Sequence, residues 1–158
     1  MGEDRKLAHI ERIPIRWGDM DAMGHVNNTV YFRYMEQARI SWFDALVPEE
    51  EAWQSTGIVI VNASCHYKRP ITYPGTVEVR LLVGPPGGSS VPTYYELRVI
   101  QGELLDPEPY ADGAAVAVWI GLAIAGGAAV ALRRRAPAPA AIALLALVAD
   151  TVAVFVGL

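Results

Sequence analysis

Hydrophobic and polar residues alternate in five stretches of the chain, and this period of two predicts five β-strands. The first predicted strand runs from Ile10 to Trp17, with Ile13, Ile15 and Trp17 on one face. The other four are predicted at Gly57–Lys68, Thr76–Val83, Thr93–Gln101 and Tyr110–Ile120. Segments rich in proline and glycine, which favour turns, separate several of these strands.

Between the first two strands the hydrophobic period changes to three and four residues, which predicts one long amphipathic helix. Asn27 or Asn28 is a suitable N-cap, because an asparagine side-chain oxygen can accept a hydrogen bond from an N–H of the first turn. Pro48 marks the end of the helix. The apolar stripe consists of Tyr31, Tyr34, Ala38, Trp42 and Leu46. We therefore expect an α+β fold in which the helix packs on the concave face of a curved antiparallel sheet.

The second predicted strand contains the only cysteine of the chain. Its apolar residues, predicted to share one face, are Val59, Val61, Ala63, Cys65 and Tyr67. Cys65 is therefore predicted to be a core residue, with its neighbour His66 on the opposite face of the strand. A single cysteine excludes an internal disulfide and fits a reducing compartment. Because the charged N-terminus also lacks the apolar region of a secretory signal, we expect a cytoplasmic protein.

Charged side chains are distributed unevenly along the chain. The formal net charge is −4, and residues 1–112 hold 26 of the 30 charged side chains. No basic cluster occurs before Arg133–Arg135, which argues against a nucleic-acid-binding protein. The three scattered histidines and one cysteine do not form a metal-ligand pattern, so we expect neither a metal site nor a cofactor.

The C-terminal part of the chain is strongly hydrophobic. Gly113–Leu132 has no charge and is long enough to span a bilayer, but its first part is also needed as the fifth strand, which favours a soluble core. Ala140–Leu158 is interrupted by Asp150, which would cost about 2.5–3.5 kcal/mol at the centre of a bilayer. We divide the chain into a domain, residues 1–120, and an alanine-rich tail, residues 121–158. The tail is interpreted as a helix that is poorly packed or packs at an oligomer interface, in preference to a membrane anchor, and a non-native reading frame is a third explanation.

The junction of the first strand and the helix carries an unusual cluster of polar residues. The sequence RWGDMDAMGHVNNTVYF (Arg16–Phe32) continues as RYMEQAR, and YKRP (Tyr67–Pro70), YPG (Tyr73–Gly75) and GSS (Gly88–Ser90) follow later. Together these segments resemble the signature of hotdog-fold acyl-CoA thioesterases of the 4-hydroxybenzoyl-CoA thioesterase-like family. The resemblance extends over about Ile10 to Ile120.

The resemblance implies hydrolysis of an acyl- or aroyl-CoA to the free acid and CoA. It assigns the catalytic role to the second aspartate of the cluster, Asp21, as nucleophile or general base. Gly24 is expected to let the backbone approach the substrate, and free N–H groups near Gly24, His25 and Val26 to polarise the thioester carbonyl. His25 is expected to contribute because it adjoins the predicted site and histidine is a common general acid or base at neutral pH. Asp19 is expected to be structural, bonding to local backbone.

Further residues are predicted to contact the substrate. They are Val26, Asn28, Tyr31, Lys68, Arg69, Ser89 and Ser90. Tyr31 is expected to line the acyl pocket, and Lys68, Arg69 and the serine loop to meet the phosphates of CoA. The resemblance also implies a homodimer or homotetramer with active sites between subunits. Alternatives are a non-catalytic protein of this fold that binds acyl-CoA or an acyl carrier, and, less favoured, a hydratase or dehydratase, whose D-x-N-P-x-H pattern is absent.

Overall fold

One helix packs against an antiparallel sheet in the computed structural model, which describes residues 5–46, 56–121, 124–125 and 128–129. The elements are β1 (Lys6–Pro14), a 3-10 turn (Trp17–Asp19), α1 (Asn28–Leu46), β2 (Thr56–Tyr67), β3 (Thr76–Val83), β4 (Ser90–Gln101), β5 (Leu104–Leu105), β6 (Ala111–Gly121), β7 (Ile124–Ala125) and β8 (Ala128–Ala129). The main sheet has the order β1–β3–β4–β6–β2, with β5 added to β4, while β7 pairs with β8 in a separate small sheet. The predicted α+β fold is confirmed.

The core lies between α1 and the inner face of the sheet. The predicted helical stripe is confirmed, since Tyr31, Tyr34, Ala38 and Trp42 are buried and Leu46 packs against them partly buried. The buried strand residues that face α1 include Val77, Val79, Leu81, Tyr95, Leu97 and Val99. Alternation along β3 and β4 places these residues on one face, as their period of two predicts.

The prediction that the apolar residues of β2 share one face is wrong. The pairing of β2 with β6 shifts in register just after Ile60, and such an irregularity exchanges the two faces of the strand that follows it. Ile58 and Ile60 contact the core before the shift, and Cys65 contacts it after the shift. By contrast, Val59 and Val61 are 42% and 62% exposed.

The first strand also ends earlier than predicted. β1 stops at Pro14, and although Ile15 is buried, Trp17 lies in the 3-10 turn and is 78% exposed. Asp19 closes this turn: its carboxylate accepts a hydrogen bond from the Arg16 N–H at 2.9 Å, and its own N–H donates to the Arg16 carbonyl at 3.0 Å. These local bonds replace the ladder that would have continued the strand.

The uncharged segment after residue 113 begins as sheet. β6 runs to Gly121 and pairs with both β2 and β4, as predicted for a fifth strand. No helix in the described part of the chain has the length and hydrophobicity needed to cross a bilayer. Apart from β7 and β8, the predicted tail of residues 121–158 lies outside the described residues, so the predictions made for it and for its boundary stay predictions.

Glu78 is a buried carboxylate on the outer face of the sheet. Its side chain is 1% exposed and receives hydrogen bonds from Arg12 Nε at 3.0 Å and Arg80 Nε at 2.9 Å. Burial alone would raise the pKa of Glu78, but the bonds from Arg80 and Arg12 outweigh it and hold the pKa below its ordinary value of 4.5. The stabilisation is therefore complete above pH 4.5 and is lost as pH falls through the lower pKa of the folded state.

We expect Glu78→Gln to lower the free energy of unfolding by about 1–2 kcal/mol at pH 7, less than a fully buried charge pair because Arg12 is 66% exposed. Urea denaturation at pH 7 and in acid measures this difference, which should shrink in acid because the wild-type carboxylate becomes protonated. Glu96→Gln is the matched control: Glu96 is 30% exposed in its pair with Arg98, and its loss should change stability by under about 0.5 kcal/mol. A Glu78→Gln difference that does not vary with pH would contradict the assignment.

Candidate active site

The loop from Asp19 to Asn27, between the 3-10 turn and α1, carries most of the predicted catalytic residues. Two backbone hydrogen bonds join the two sides of this loop. The Asn27 N–H donates to the Asp19 carbonyl at 2.9 Å, and the Asp21 N–H donates to the His25 carbonyl at 2.7 Å. The loop is therefore a small closed hairpin whose far end directs its side chains to the surface.

The Asp21 carboxylate is held by the backbone of its own loop. Oδ1 accepts hydrogen bonds from the Met23 N–H at 2.8 Å and the His25 N–H at 3.2 Å. In the described part of the chain, no donor lies within hydrogen-bonding distance of Oδ2. The side chain is half-buried, so one oxygen fixes its orientation while the other is available to a substrate.

The N–H groups expected to be free in this loop are engaged. Gly24, whose φ of +78° explains the preference for glycine, donates to the Asp21 carbonyl at 3.1 Å. The His25 N–H bonds to the Asp21 carboxylate, and the Val26 N–H donates to the Ile71 carbonyl at 2.8 Å. The prediction that these three donors are free is therefore wrong.

An N–H group that is available as a donor belongs to Asn28, the first residue of α1. Asn27 is the N-cap of the two candidates, because its Oδ1 accepts a hydrogen bond from the Thr29 N–H at 3.0 Å. Among the described residues, the N–H of Asn28 has no acceptor. It points out of the N-terminus of a helix of 19 residues, where the helix dipole favours negative charge.

Two tyrosines pack at this helix start. Tyr31 is buried and its hydroxyl accepts a hydrogen bond from the Ile71 N–H at 3.2 Å, while the Tyr67 hydroxyl donates to the Asn28 carbonyl at 3.0 Å. The two rings meet edge to face, with centroids 5.0 Å apart. Because Tyr67 is 46% exposed and Tyr31 only 3%, Tyr67 is the tyrosine that a substrate can reach. The sequence analysis did not identify Tyr67 as a site residue, although it opens the YKRP segment.

Cys65 lies beside Tyr67 and is not suited to act as a nucleophile. Burial raises the pKa of the thiol to about 11, so that it stays protonated at neutral pH. No three His, Cys, Asp or Glu side chains within the described ranges lie close enough to bind a metal ion.

Asp19 has a partner that the sequence did not indicate. Its Oδ2 accepts the hydroxyl of Tyr34 at 2.8 Å in addition to the Arg16 N–H. Burial and the bond to Asp19 both raise the pKa of Tyr34, so the hydroxyl keeps its proton and acts as the donor. The local backbone bond expected for Asp19 is present, and the tie to the helix is additional.

The two predicted phosphate-binding cations, Lys68 and Arg69, are already paired. Lys68 Nζ forms an ion pair with Asp112. Arg69 Nη1 lies 3.0 Å from Asp106 Oδ2, and its guanidinium stacks on Tyr110 with 3.9 Å to the ring centroid. A phosphate would therefore have to compete with these carboxylates.

Ser89 and Ser90 lie far from the loop within one chain. β4 begins at Ser90, whereas its other end, at Ile100, pairs with Thr76. Thr76 in turn pairs with Pro14, from which the chain continues to the Asp19–Asn27 loop. Ten steps of extended strand lead from Ser90 to Ile100, a length of about 33 Å. The structure thus brings Asp21, Gly24, His25, Val26, Asn28 and Tyr31 together and leaves the two serines apart.

A small pocket of about 180 Å³ opens along α1, one turn beyond Asn28. Its apolar walls come from Phe32 and Met35 of the helix and from Ala63 and Ala115 of the facing strands. Alanine side chains leave the space open, and Phe32, 37% exposed, stands at its edge.

Comparison with known proteins identifies one family over most of the chain. The model of the thioesterase-like superfamily matches residues 15–144.

Solved structures agree with this match. A protein from Pseudomonas aeruginosa, provisionally assigned as a thioesterase, is 37% identical, with 79% of this chain and 93% of that chain covered and a TM-score of 0.67. A provisionally assigned acyl-CoA thioesterase from Xanthomonas campestris is 36% identical, with coverages of 72% and 93% and a TM-score of 0.63. A thioesterase from Thermus thermophilus, solved with coenzyme A, is 28% identical, with coverages of 82% and 94% and a TM-score of 0.61.

Proposed function

The chain belongs to the thioesterase-like superfamily, and we propose that it is an acyl-CoA thioesterase that hydrolyses an acyl- or aroyl-CoA to the free acid and CoA. One observation carries the proposal: among the described residues, a carboxylate oxygen of Asp21 in the short loop and the N–H of Asn28, which directly follows that loop, are both unoccupied. Hydrolysis of a thioester needs two such groups: a carboxylate that attacks the carbonyl or activates water, and an N–H that stabilises the negative charge developing on the carbonyl oxygen.

In the proposed reaction the thioester oxygen accepts the Asn28 N–H, and the dipole of α1 stabilises the negative charge that develops there. Asp21 Oδ2 then attacks the carbonyl carbon or removes a proton from the attacking water. If Asp21 attacks, the C–S bond breaks with CoA leaving as the thiolate; water then hydrolyses the acyl–Asp21 anhydride to the free acid, and a proton released in that step passes to the thiolate. If Asp21 is the base, the water oxygen adds to the carbonyl carbon, the C–S bond breaks, and the proton taken by Asp21 passes to the departing thiolate. Both routes need an oriented carboxylate, which the bonds from Met23 and His25 to Oδ1 provide.

We assign the acyl group to the surface between α1 and β2. Tyr67 and Phe32, both partly exposed, flank the start of this surface. The pocket beyond Phe32 has apolar walls from Met35, Ala63 and Ala115, and charged residues of α1 such as Arg33 and Glu36 also line it. Tyr31 supports this wall from behind, since it is buried and its hydroxyl is occupied by Ile71. His25, exposed beside Asp21, stays a predicted contributor to the site.

Turnover of a panel of acyl-CoAs, with release of free thiol followed spectroscopically, tests this function. We expect saturable thiol release from at least one aliphatic or aromatic acyl-CoA. Binding of CoA esters without thiol release from any of them would favour a non-catalytic acyl-CoA-binding protein. Loss of an enoyl-CoA double bond without thiol release would favour a hydratase.

We further propose that two copies associate through β2. This strand is at the edge of the main sheet and exposes Val59 and Val61, and exposed apolar edge strands are sites of strand pairing. We expect light scattering to give a molar mass of at least twice 17.1 kDa for the wild type. The Val61→Lys variant should give a lower molar mass. Ile10→Lys is the matched control, because Ile10 is 42% exposed on β1, at the opposite edge. A wild-type mass of 17.1 kDa would contradict the association.

A further inference from the structure

We propose that Asp19 and Tyr34 act as positioning residues that fix Asp21 relative to Asn28. The hydrogen bond from the Tyr34 hydroxyl to Asp19 Oδ2 is called the Asp19–Tyr34 latch. The inference rests on the proposed thioesterase function, because it concerns the geometry between the carboxylate and the oxyanion donor of that reaction.

The buried side of α1 ties down both ends of the site loop. At the first end, Tyr34 donates to Asp19 at 2.8 Å. At the second end, the Tyr31 hydroxyl accepts the Ile71 N–H at 3.2 Å, and the Ile71 carbonyl accepts the Val26 N–H at 2.8 Å. Two tyrosines one turn apart on the helix therefore hold the loop on either side of Asp21.

The helix is a common frame for the two reacting groups. Tyr34 follows Asn28 by six residues, about 9 Å along the helix axis, and its side chain is 4% exposed, so its hydroxyl is fixed by core packing. The latch holds Asp19, and Asp21 follows two residues later in the same closed hairpin. Without the latch, the hydrogen bonds that the described residues give Asp19 are local ones with Arg16 and Asn27, and Met20 still packs against the core. A displacement of about 1 Å at a reacting group can lower a rate about 100-fold.

The latch requires an acceptor at Asp19 rather than a negative charge. Both donors, the Arg16 N–H and the Tyr34 hydroxyl, meet the same oxygen, Oδ2. An asparagine with its amide oxygen at this position would accept both bonds. The latch therefore makes a prediction opposite to that for a catalytic carboxylate, which asparagine cannot replace.

Steady-state kinetics of Asp19→Ala, Asp19→Asn and Tyr34→Phe test the latch. We expect Asp19→Ala and Tyr34→Phe each to lower kcat about 10- to 100-fold with KM changed by less than about threefold. Asp19→Asn should keep kcat within about threefold of wild type, since it restores the acceptor. The double variant Asp19→Ala/Tyr34→Phe should be no slower than the slower single variant, because both changes remove one interaction.

Tyr110→Phe is the matched control, since Tyr110 also donates to an aspartate, Asp106, at 3.1 Å, but outside the site loop. Its kcat should match wild type. Hydrogen exchange of the Met23 and His25 amides gives a readout independent of turnover, and should accelerate in Tyr34→Phe while core amides of β3 stay protected. If the wild type hydrolyses no acyl-CoA, the proposed function fails. Hydrogen exchange of the Met23 and His25 amides then still tests whether the latch holds the loop. Unchanged loop exchange in Tyr34→Phe, or an Asp19→Asn variant as slow as Asp19→Ala, would overturn it.

Discussion

Asp21→Asn is expected to lower kcat for acyl-CoA hydrolysis by at least about 100-fold while the protein folds normally. The amide removes the nucleophile or base at Oδ2, but the other oxygen can still accept the bonds from the Met23 and His25 N–H groups that shape the loop. Thiol release under saturating substrate measures kcat, and circular dichroism reports on the fold.

The control for Asp21→Asn is Asp44→Asn, which removes an exposed carboxylate from α1 and leaves the loop untouched. This variant should hydrolyse acyl-CoA at the wild-type rate. Near wild-type activity of Asp21→Asn would exclude the carboxylate from the reaction and remove the basis of the proposed function. A large loss in both variants would point to a general effect of charge instead.

The parts of the fold that follow from local sequence were predicted well. The stripe from Tyr31 to Trp42 repeats with the helical period, and β3 was predicted with the same first and last residues as observed, Thr76 and Val83. A period of three to four residues in the helix and of two residues in the strand specifies these elements without reference to their neighbours. Asn27 and Asn28 were both suitable caps in the sequence, and only the hydrogen bond from the Thr29 N–H to Asn27 Oδ1 identifies Asn27 as the cap.

Features that depend on distant partners were missed. The register shift after Ile60 arises in the pairing of β2 with β6 and leaves no mark in the alternation of β2 itself. The Val26 N–H looked free because its acceptor, Ile71, lies 45 residues further along the chain. Likewise Tyr34 was identified as a core residue, but nothing in the helical period shows that its hydroxyl reaches Asp19.

The ion pairs could not be predicted from the sequence either. Lys68 and Arg69 sit next to a turn, as phosphate-binding cations often do, yet their partners Asp112 and Asp106 belong to the segment that returns beside them much later. The position of Ser90 depends on the same kind of information, since it follows from which end of β4 lies beside β1 and the loop. Family resemblance pointed to the candidate loop, and only the three-dimensional pairing showed which of its groups are occupied.

Asn28→Pro tests which N–H is the oxyanion donor. Proline is favoured at the first position of a helix, where its fixed φ fits and the missing N–H breaks no intrahelical bond. The substitution therefore removes the donor with little effect on α1, and the Asn27 cap tolerates it because a residue before proline favours the extended backbone typical of an N-cap. We expect kcat to fall about 100- to 1,000-fold, the loss typical of one oxyanion donor.

Asn28→Ala keeps the N–H and removes only the side chain, so the comparison with Asn28→Pro isolates the backbone donor. We expect Asn28→Ala to retain kcat within about threefold of wild type, since the carbonyl that receives the Tyr67 hydroxyl is also unchanged. Thermal unfolding of both variants checks that α1 is intact. If Asn28→Pro folds and keeps wild-type kcat, the oxyanion donor must be supplied elsewhere, and the engaged N–H groups of Gly24 and His25 would then have to exchange their present acceptors for the substrate.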